Sequence, residues 1–108
     1  MGDILKNQPT VVSSTYETTI CTGASVSSTI LSFLICNEST ATSGTFSIRV
    51  KDNSNSDTAY YIYKDIALPA KGTFEHTDKI VLMPSDVLTI ISSSGQTHCC
   101  FVSYLEQT

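Results

Sequence analysis

Tryptophan is absent from this chain, charged residues of either sign are sparse, and no apolar run is long. Each absence removes a class of function. Ten acidic and six basic side chains give a formal charge of −4, and neither sign gathers into a block. No surface suited to neutralising phosphates is therefore expected, and nucleic acid is not an expected partner. No stretch approaches the ~20 apolar residues that a membrane-spanning helix needs, so no membrane association is expected. The opening MGDILKNQPT has no basic segment followed by an apolar one, so no secretory signal is read there and the chain reads as a soluble protein. Met1-Gly2 suggests a myristoylation start, but Lys6 stands where Ser or Thr is required.

Motifs that carry chemistry are missing too. No GxSxG, P-loop or dinucleotide fingerprint occurs, and no HxH, CxxC or HExxH spacing that would organise a metal. His98 next to Cys99 suggests a nucleophile and its base, yet neighbours on a strand point to opposite faces and cannot share a proton. His76, between Glu75 and Asp78, is read as a solvated turn rather than a loose metal site. The run Asp52-Asn53-Ser54-Asn55-Ser56-Asp57 resembles a calcium loop only superficially. The EF-hand needs Gly at its sixth position and Glu at its twelfth, where this chain has Asp57 and Tyr63, so a hairpin turn is the better reading. Asn37-Glu38-Ser39 matches a glycosylation acceptor but lacks the secretory context that would give it meaning. No catalytic residue, metal ligand or cofactor is expected, and the chain reads as a non-enzyme.

What is present is strand chemistry. At 108 residues the chain is the size of one domain. Lys79-Ile80-Val81-Leu82 and Val87-Leu88-Thr89-Ile90-Ile91 are rich in β-branched residues. Leu68-Pro69-Ala70-Lys71-Gly72 precedes them and Pro84-Ser85-Asp86 separates them, both with the residues that turns require. Thr45 to Asp52 alternates cleanly, with Phe46, Ile48 and Val50 inward and Thr45, Ser47, Arg49 and Lys51 outward. No window of helical length shows a 3.6-residue period with caps, and no repeat of fixed period is visible. The expected fold is all-β: a single antiparallel β-sandwich, jelly-roll-like, of seven to eight strands over residues 15–108. Residues 1–14, with Asn7-Gln8-Pro9 and no period, are expected to be an arm or linker. The predicted core is Phe33, Phe46, Ile48, Val50, Ile62, Val81, Leu88, Ile90 and Phe101.

Two stretches point to contact with other chains. Thr29 to Asn37 is apolar on both faces, with Leu31, Phe33 and Ile35 on one and Ile30, Leu34 and Cys36 on the other, so one face needs cover beyond the domain's own core. Ala59-Tyr60-Tyr61-Ile62-Tyr63 carries rings on both faces, and tyrosines suit interfaces. Leu31, Leu34, Tyr60, Tyr61 and Tyr63 are therefore interface candidates. Cys99 and Cys100 must face opposite ways. With Phe101 assigned to the core, Cys99 follows it inward and Cys100 faces outward with His98 and Val102, where it is placed to meet a neighbouring chain's cysteine. The plainer reading, which we prefer, leaves all four thiols as small packing residues.

The order of these segments carries a resemblance. A Thr-rich first strand is followed by TILSFLICNEST, GTFSIRVKD, YYIYKDIALPAKGTFE, KIVLMPSDVLTIISS and a terminal CFVSYLE. From Tyr16 to Glu106 this resembles a group of small β-sandwich structural proteins of tailed bacteriophages. In that group a strand ending in an Asn-Ser/Thr turn, an "lPaGgt" turn, a "KivLeaGDvl" turn and a C-terminal "SyLE" recur. The chain departs from the pattern at Pro84-Ser85-Asp86, where the group more often has Ala-Gly-Asp. The resemblance implies a virion component of neck, tail or capsid surface, made in the host cytoplasm, that contacts copies of itself and other virion proteins. A rival from another class is a carbohydrate-binding sandwich module, whose sugar platform the tyrosines would have to supply.

Overall fold

The computed structural model describes residues 3–12, 17–23, 26–38, 43–93 and 97–107; Tyr16, and the turn residues expected at 24–25, 39–42 and 94–96, lie outside them. Nine strands follow one another: β1 (Ile4–Val12), β2 (Thr18–Thr22), β3 (Ser27–Asn37), β4 (Gly44–Asp52), β5 (Thr58–Leu68), β6 (Thr73–His76), β7 (Ile80–Leu82), β8 (Val87–Ser92) and β9 (His98–Gln107). All pairings are antiparallel. The larger sheet runs β1-β9-β3-β6, with β7 continuing beyond β6 along β3, and the smaller runs β2-β8-β4-β5. Setting the short β7 aside, this is the strand order of a jelly roll, in which two Greek keys wrap two facing sheets. The fold class expected from the turns and alternation is therefore the one observed.

The core lies between the sheets. Ile30, Phe33, Ile35, Leu82, Cys100 and Val102 of the larger sheet meet Ile20, Cys21, Phe46, Ile48, Leu88 and Ile90 of the smaller. An aromatic group fills one part of it. Phe33 stacks on His76 at 4.6 Å between ring centroids, and Phe74 meets both Phe46 (5.1 Å) and Tyr63 (4.9 Å) edge-on. Edge-to-face and offset contacts of this kind suit the ring quadrupoles and add to the burial itself.

Two polar side chains hold the turns. Asn37, buried at the end of β3, donates from Nδ2 to the Leu68 carbonyl (3.1 Å), and its backbone N–H donates to the Gly72 carbonyl (2.9 Å). The Leu68–Gly72 turn is thus clamped at both ends, and the Gly72 N–H closes it on the Pro69 carbonyl at 2.8 Å. Asp86 does the same for the next turn. Its Oδ2 accepts the Met83 N–H (3.0 Å), while its Oδ1 accepts the Asn53 N–H (2.9 Å) from the β4–β5 hairpin. Its own N–H bonds the Met83 carbonyl at 2.9 Å. The Pro84-Ser85 corner places Ser85 at φ 68°, a left-handed conformation that costs an L-residue free energy and that glycine adopts freely. The Asp52–Asp57 stretch is the hairpin turn expected, built on a short 3-10 turn in which Asp52 accepts from the Ser54 N–H at 3.0 Å.

Several inward assignments are corrected. Phe101, Val81 and Ile62, expected in the core, are 40%, 57% and 40% exposed on the outside. Phe101 and Cys99 face out, whereas His98, Cys100 and Val102 face in, the reverse of the expected phase of the last strand. On β3 the register shifts between Ile30 and Ser32, so that Ile30, Phe33 and Ile35 share the core side and Leu31 does not follow them. Register shifts in the β4–β5 pairing similarly leave Ile62 outside while Tyr63 packs against the core. Residues 4–12 form an edge strand, paired with β9 from Ile4↔Glu106 to Val12↔His98, where an arm without regular pairing was expected. His76, read as a solvated turn, is buried on β6.

Candidate functional site

The two outer faces of the sandwich differ in kind. On the smaller sheet Thr19, Thr89, Arg49 and Tyr61 lie side by side across four strands. Glu17 ties this face together. Its Oε2 accepts from Arg49 Nε (2.8 Å) and Thr89 Oγ1 (2.7 Å), and its Oε1 lies 2.7 Å from Lys51 Nζ. Burial works to raise the Glu17 pKa, but hydrogen bonds from Lys51, Thr89 and Arg49 outweigh it and hold the carboxyl at about 2. The Tyr61 ring lies between the Arg49 guanidinium (5.4 Å) and the Lys64 ammonium (5.0 Å). Arg49 and Lys51 thus share the Glu17 carboxylate, and Lys64 rests on the Tyr61 ring.

The larger sheet presents the opposite. Its outward side chains form rows across β7 or β6, β3, β9 and β1: Val81-Thr29-Leu105-Leu5, then Glu75-Leu34-Phe101-Pro9, then Thr73-Cys36-Cys99-Val11. Leu31 adds to them at the β3 irregularity, and Ser32, Ser103 and Asn7 lie between the first two rows. Glu75 is the one charged residue in these rows. Leu5 is 73% and Leu34 39% exposed. A hollow of about 330 Å³ opens on this face, lined by Leu5, Lys6, Asn7, Leu31, Phe101, Ser103 and Tyr104. Beside it Lys6 pairs with Glu106 at 3.0 Å, which raises the Lys6 pKa through that hydrogen bond and its Coulombic attraction.

A contiguous outward surface of Leu, Phe, Val, Pro and Cys is unusual for a chain that stands alone in water, and such patches mark contacts. Its chemistry is that of a protein interface, apolar and aromatic at the centre. Among the described residues no group of three or more His, Cys, Asp or Glu side chains comes together.

Of the interface candidates, Leu31 and Leu34 lie on this face. Tyr60 and Tyr61 are half exposed at the far edge of the other sheet, on opposite sides of β5, with the Tyr60 hydroxyl accepting from Asn55 Nδ2 at 2.9 Å. Two candidates are withdrawn from the surface. Tyr63 turns inward and shares a hydrogen bond with His76 Nδ1 at 2.7 Å. Cys100 is completely buried, and burial pushes its thiol up to about 12. The sequence reading missed Leu5, Val81, Phe101 and Cys99, all on the apolar face. The β9 signal was available in the alternation itself, once His98 rather than Phe101 is taken as the inward residue.

No protein-family model matches this chain, and no curated protein sequence does. Solved structures do match in fold. A chain of the acid-stable capsid structure of Helicobacter pylori bacteriophage KHP30 superposes with a TM-score of 0.67 at 9% identity, over 99% of this chain and 94% of that one. The infectious bursal disease virus particle contains a chain matching with a TM-score of 0.61 at 10% identity, over 97% of this chain and 31% of that one. A chain of the cyanophage Pam1 capsid asymmetric unit matches with a TM-score of 0.51 at 12% identity, over 97% of this chain and 85% of that one. At these identities the fold is what is shared, a sandwich that also occurs in the capsids of viruses.

Proposed function

We propose that this chain is a non-enzymatic structural component of a tailed-bacteriophage virion, at neck, tail or capsid surface, that works through repeated symmetric contacts. The observation that carries the reading is the apolar outer face of the larger sheet, opposed by a polar outer face on which Glu17 pairs with Arg49 and Lys51. The fold shared with capsid chains supports it, as does the order of segments from Tyr16 to Glu106. Copies of the same chain and other virion proteins cover the apolar face, and the chain is made in the host cytoplasm before it joins the particle. The hollow between Leu5, Leu31 and Phe101 receives an apolar side chain of the neighbour, which fixes register where flat burial alone does not.

A sugar-binding module is the less favoured reading, because Tyr60 and Tyr61 point to opposite sides of β5 and Tyr61 is flanked by two cations. Electron microscopy of particles carrying a tagged copy tests the proposal. Label at a symmetric set of positions on the particle is expected. Particles without label, together with a glycan array that retains the purified chain, would replace it with the sugar-binding reading.

A further inference from the structure

The four cysteines fall into two chemically different pairs. Cys21 and Cys100 are fully buried, and burial pushes their thiols up to about 11 and about 12. At neutral pH they are almost wholly protonated, and a thiol without thiolate or access does not exchange. Cys36 and Cys99 are only half-buried, on the outer face of the larger sheet.

These two are also register partners. Cys36 of β3 lies directly across from Cys99 of β9, with Leu34↔Phe101 two residues further along the same face. The Glu38 N–H donates to the Thr97 carbonyl at 2.9 Å. Hydrogen-bonded and non-hydrogen-bonded pairs alternate along an antiparallel ladder, so Cys36 and Cys99, two positions along, are themselves a hydrogen-bonded pair. Cα atoms in such a pair are about 5.5 Å apart, inside the ~4.4–6.8 Å span that a disulfide bridges, but their Cβ atoms stand at the wide end of about 4.5–5.5 Å, so closure draws the two strands together locally. Both side chains leave the same face of the sheet, while Cys100, adjacent in sequence, leaves the other and cannot compete.

We propose that Cys36 and Cys99 form a dithiol site that small disulfides oxidise to an intrachain cross-strand bridge. The thiolate of one attacks a low-molecular-weight disulfide such as oxidised glutathione, forming a mixed disulfide and releasing one small thiol. The second cysteine, as thiolate, then attacks the protein sulfur of that mixed disulfide, forming the Cys36–Cys99 bond and releasing the second small thiol. Two protein thiols and one small disulfide become one protein disulfide and two small thiols. The bridge joins β3 and β9, two inner strands of the larger sheet, and closes a loop from residue 36 to residue 99. It concerns the chain before its apolar face is covered and does not rest on the virion reading.

The test uses the purified full chain, diluted until size exclusion gives a monomer, and treated with oxidised glutathione at mildly alkaline pH. Intact mass is expected to fall by about 2 Da, for the two hydrogens lost, with no dimer formed. The melting temperature is expected to rise by on the order of 10 °C. Cys21→Ser and Cys100→Ser should keep the mass loss. Cys36→Ser and Cys99→Ser should abolish it and stop at a single glutathione adduct on the remaining outer thiol. An unchanged mass, glutathione on both outer cysteines without closure, or a bridge that survives Cys36→Ser would each overturn the proposal.

Discussion

Acid should weaken this fold through His98 before the ordinary carboxylate range is reached. His98 is completely buried; its Nδ1 shares a hydrogen bond with Ser92 Oγ at 2.8 Å, and its Nε2 has no partner among the described residues. The Phe46 ring lies at 6.2 Å, the buried Asn37 is its register partner on β3, and none of the ion pairs of the described residues reaches it. Burial lowers its pKa. The sign follows from linkage: below the unfolded value the unfolded chain takes up a proton that the native state refuses, so stability is full above that value and falls as pH drops toward the folded pKa. The unfolded chain sets the ceiling. With an unfolded pKa of about 6.5, a histidine kept neutral in the fold costs at most about 2 kcal/mol at about pH 5. Glu17, held at about 2, loses its contribution as pH falls from the ordinary carboxylate value toward 2 and so leaves this window nearly untouched. Urea unfolding of the wild type and of His98→Gln, followed by circular dichroism between about pH 7 and pH 5, reads the effect. The variant is expected to be less stable at neutral pH but to lose up to about 2 kcal/mol less on acidification. Equal losses in both proteins would refute the reasoning.

Asp86→Ala removes the acceptors of the Met83 and Asn53 N–H groups and should cost about 2–3 kcal/mol in chemical denaturation, with Asp86→Asn recovering part of it. Ser85→Gly, at φ 68°, should raise stability by about 0.5–1 kcal/mol, whereas a fall would mean that the corner is not held in the left-handed conformation.

The sequence declared its turns more plainly than its faces. Pro69, Gly72 and Pro84-Ser85-Asp86 sit at corners because their backbone preferences are local, and local chemistry can be read without knowing the fold. Asn37 and Asp86 complete those corners over distances of 31 and 33 residues, and neither bond was legible. Facing went wrong where hydrophobicity was nearly equal on both sides of a strand. On β9, Cys99 and Phe101 look as apolar as Cys100 and Val102, and the decision rests on a buried histidine that sequence alone reads as polar. On β3 the irregularity near Leu31 breaks the strict period of two on which such readings rest, and it moved Phe33 and Ile35 into phase with Ile30. The edge strand β1 left almost no trace, because its ladder to β9 is a backbone interaction and Lys6, Gln8 and Thr10 are its inward-phase residues. Leu34 was legible as an apolar residue outside the core for the simplest reason, a strand with more apolar surface than one core can take.

Whether the apolar face of the larger sheet holds copies together can be measured directly. Analytical ultracentrifugation of three purified chains tests it: the wild type, Leu34→Asp on that face, and Thr19→Glu on the polar face of the smaller sheet. All three should give the same β-rich circular dichroism, since Leu34 and Thr19 are both exposed. The wild type and Thr19→Glu are expected to sediment as the same discrete oligomer, and Leu34→Asp as a folded monomer, because an unpaired charge in a buried interface costs several kcal/mol. A folded Leu34→Asp that assembles as well as the wild type, or a wild type that stays monomeric at ~100 µM, would contradict the claim.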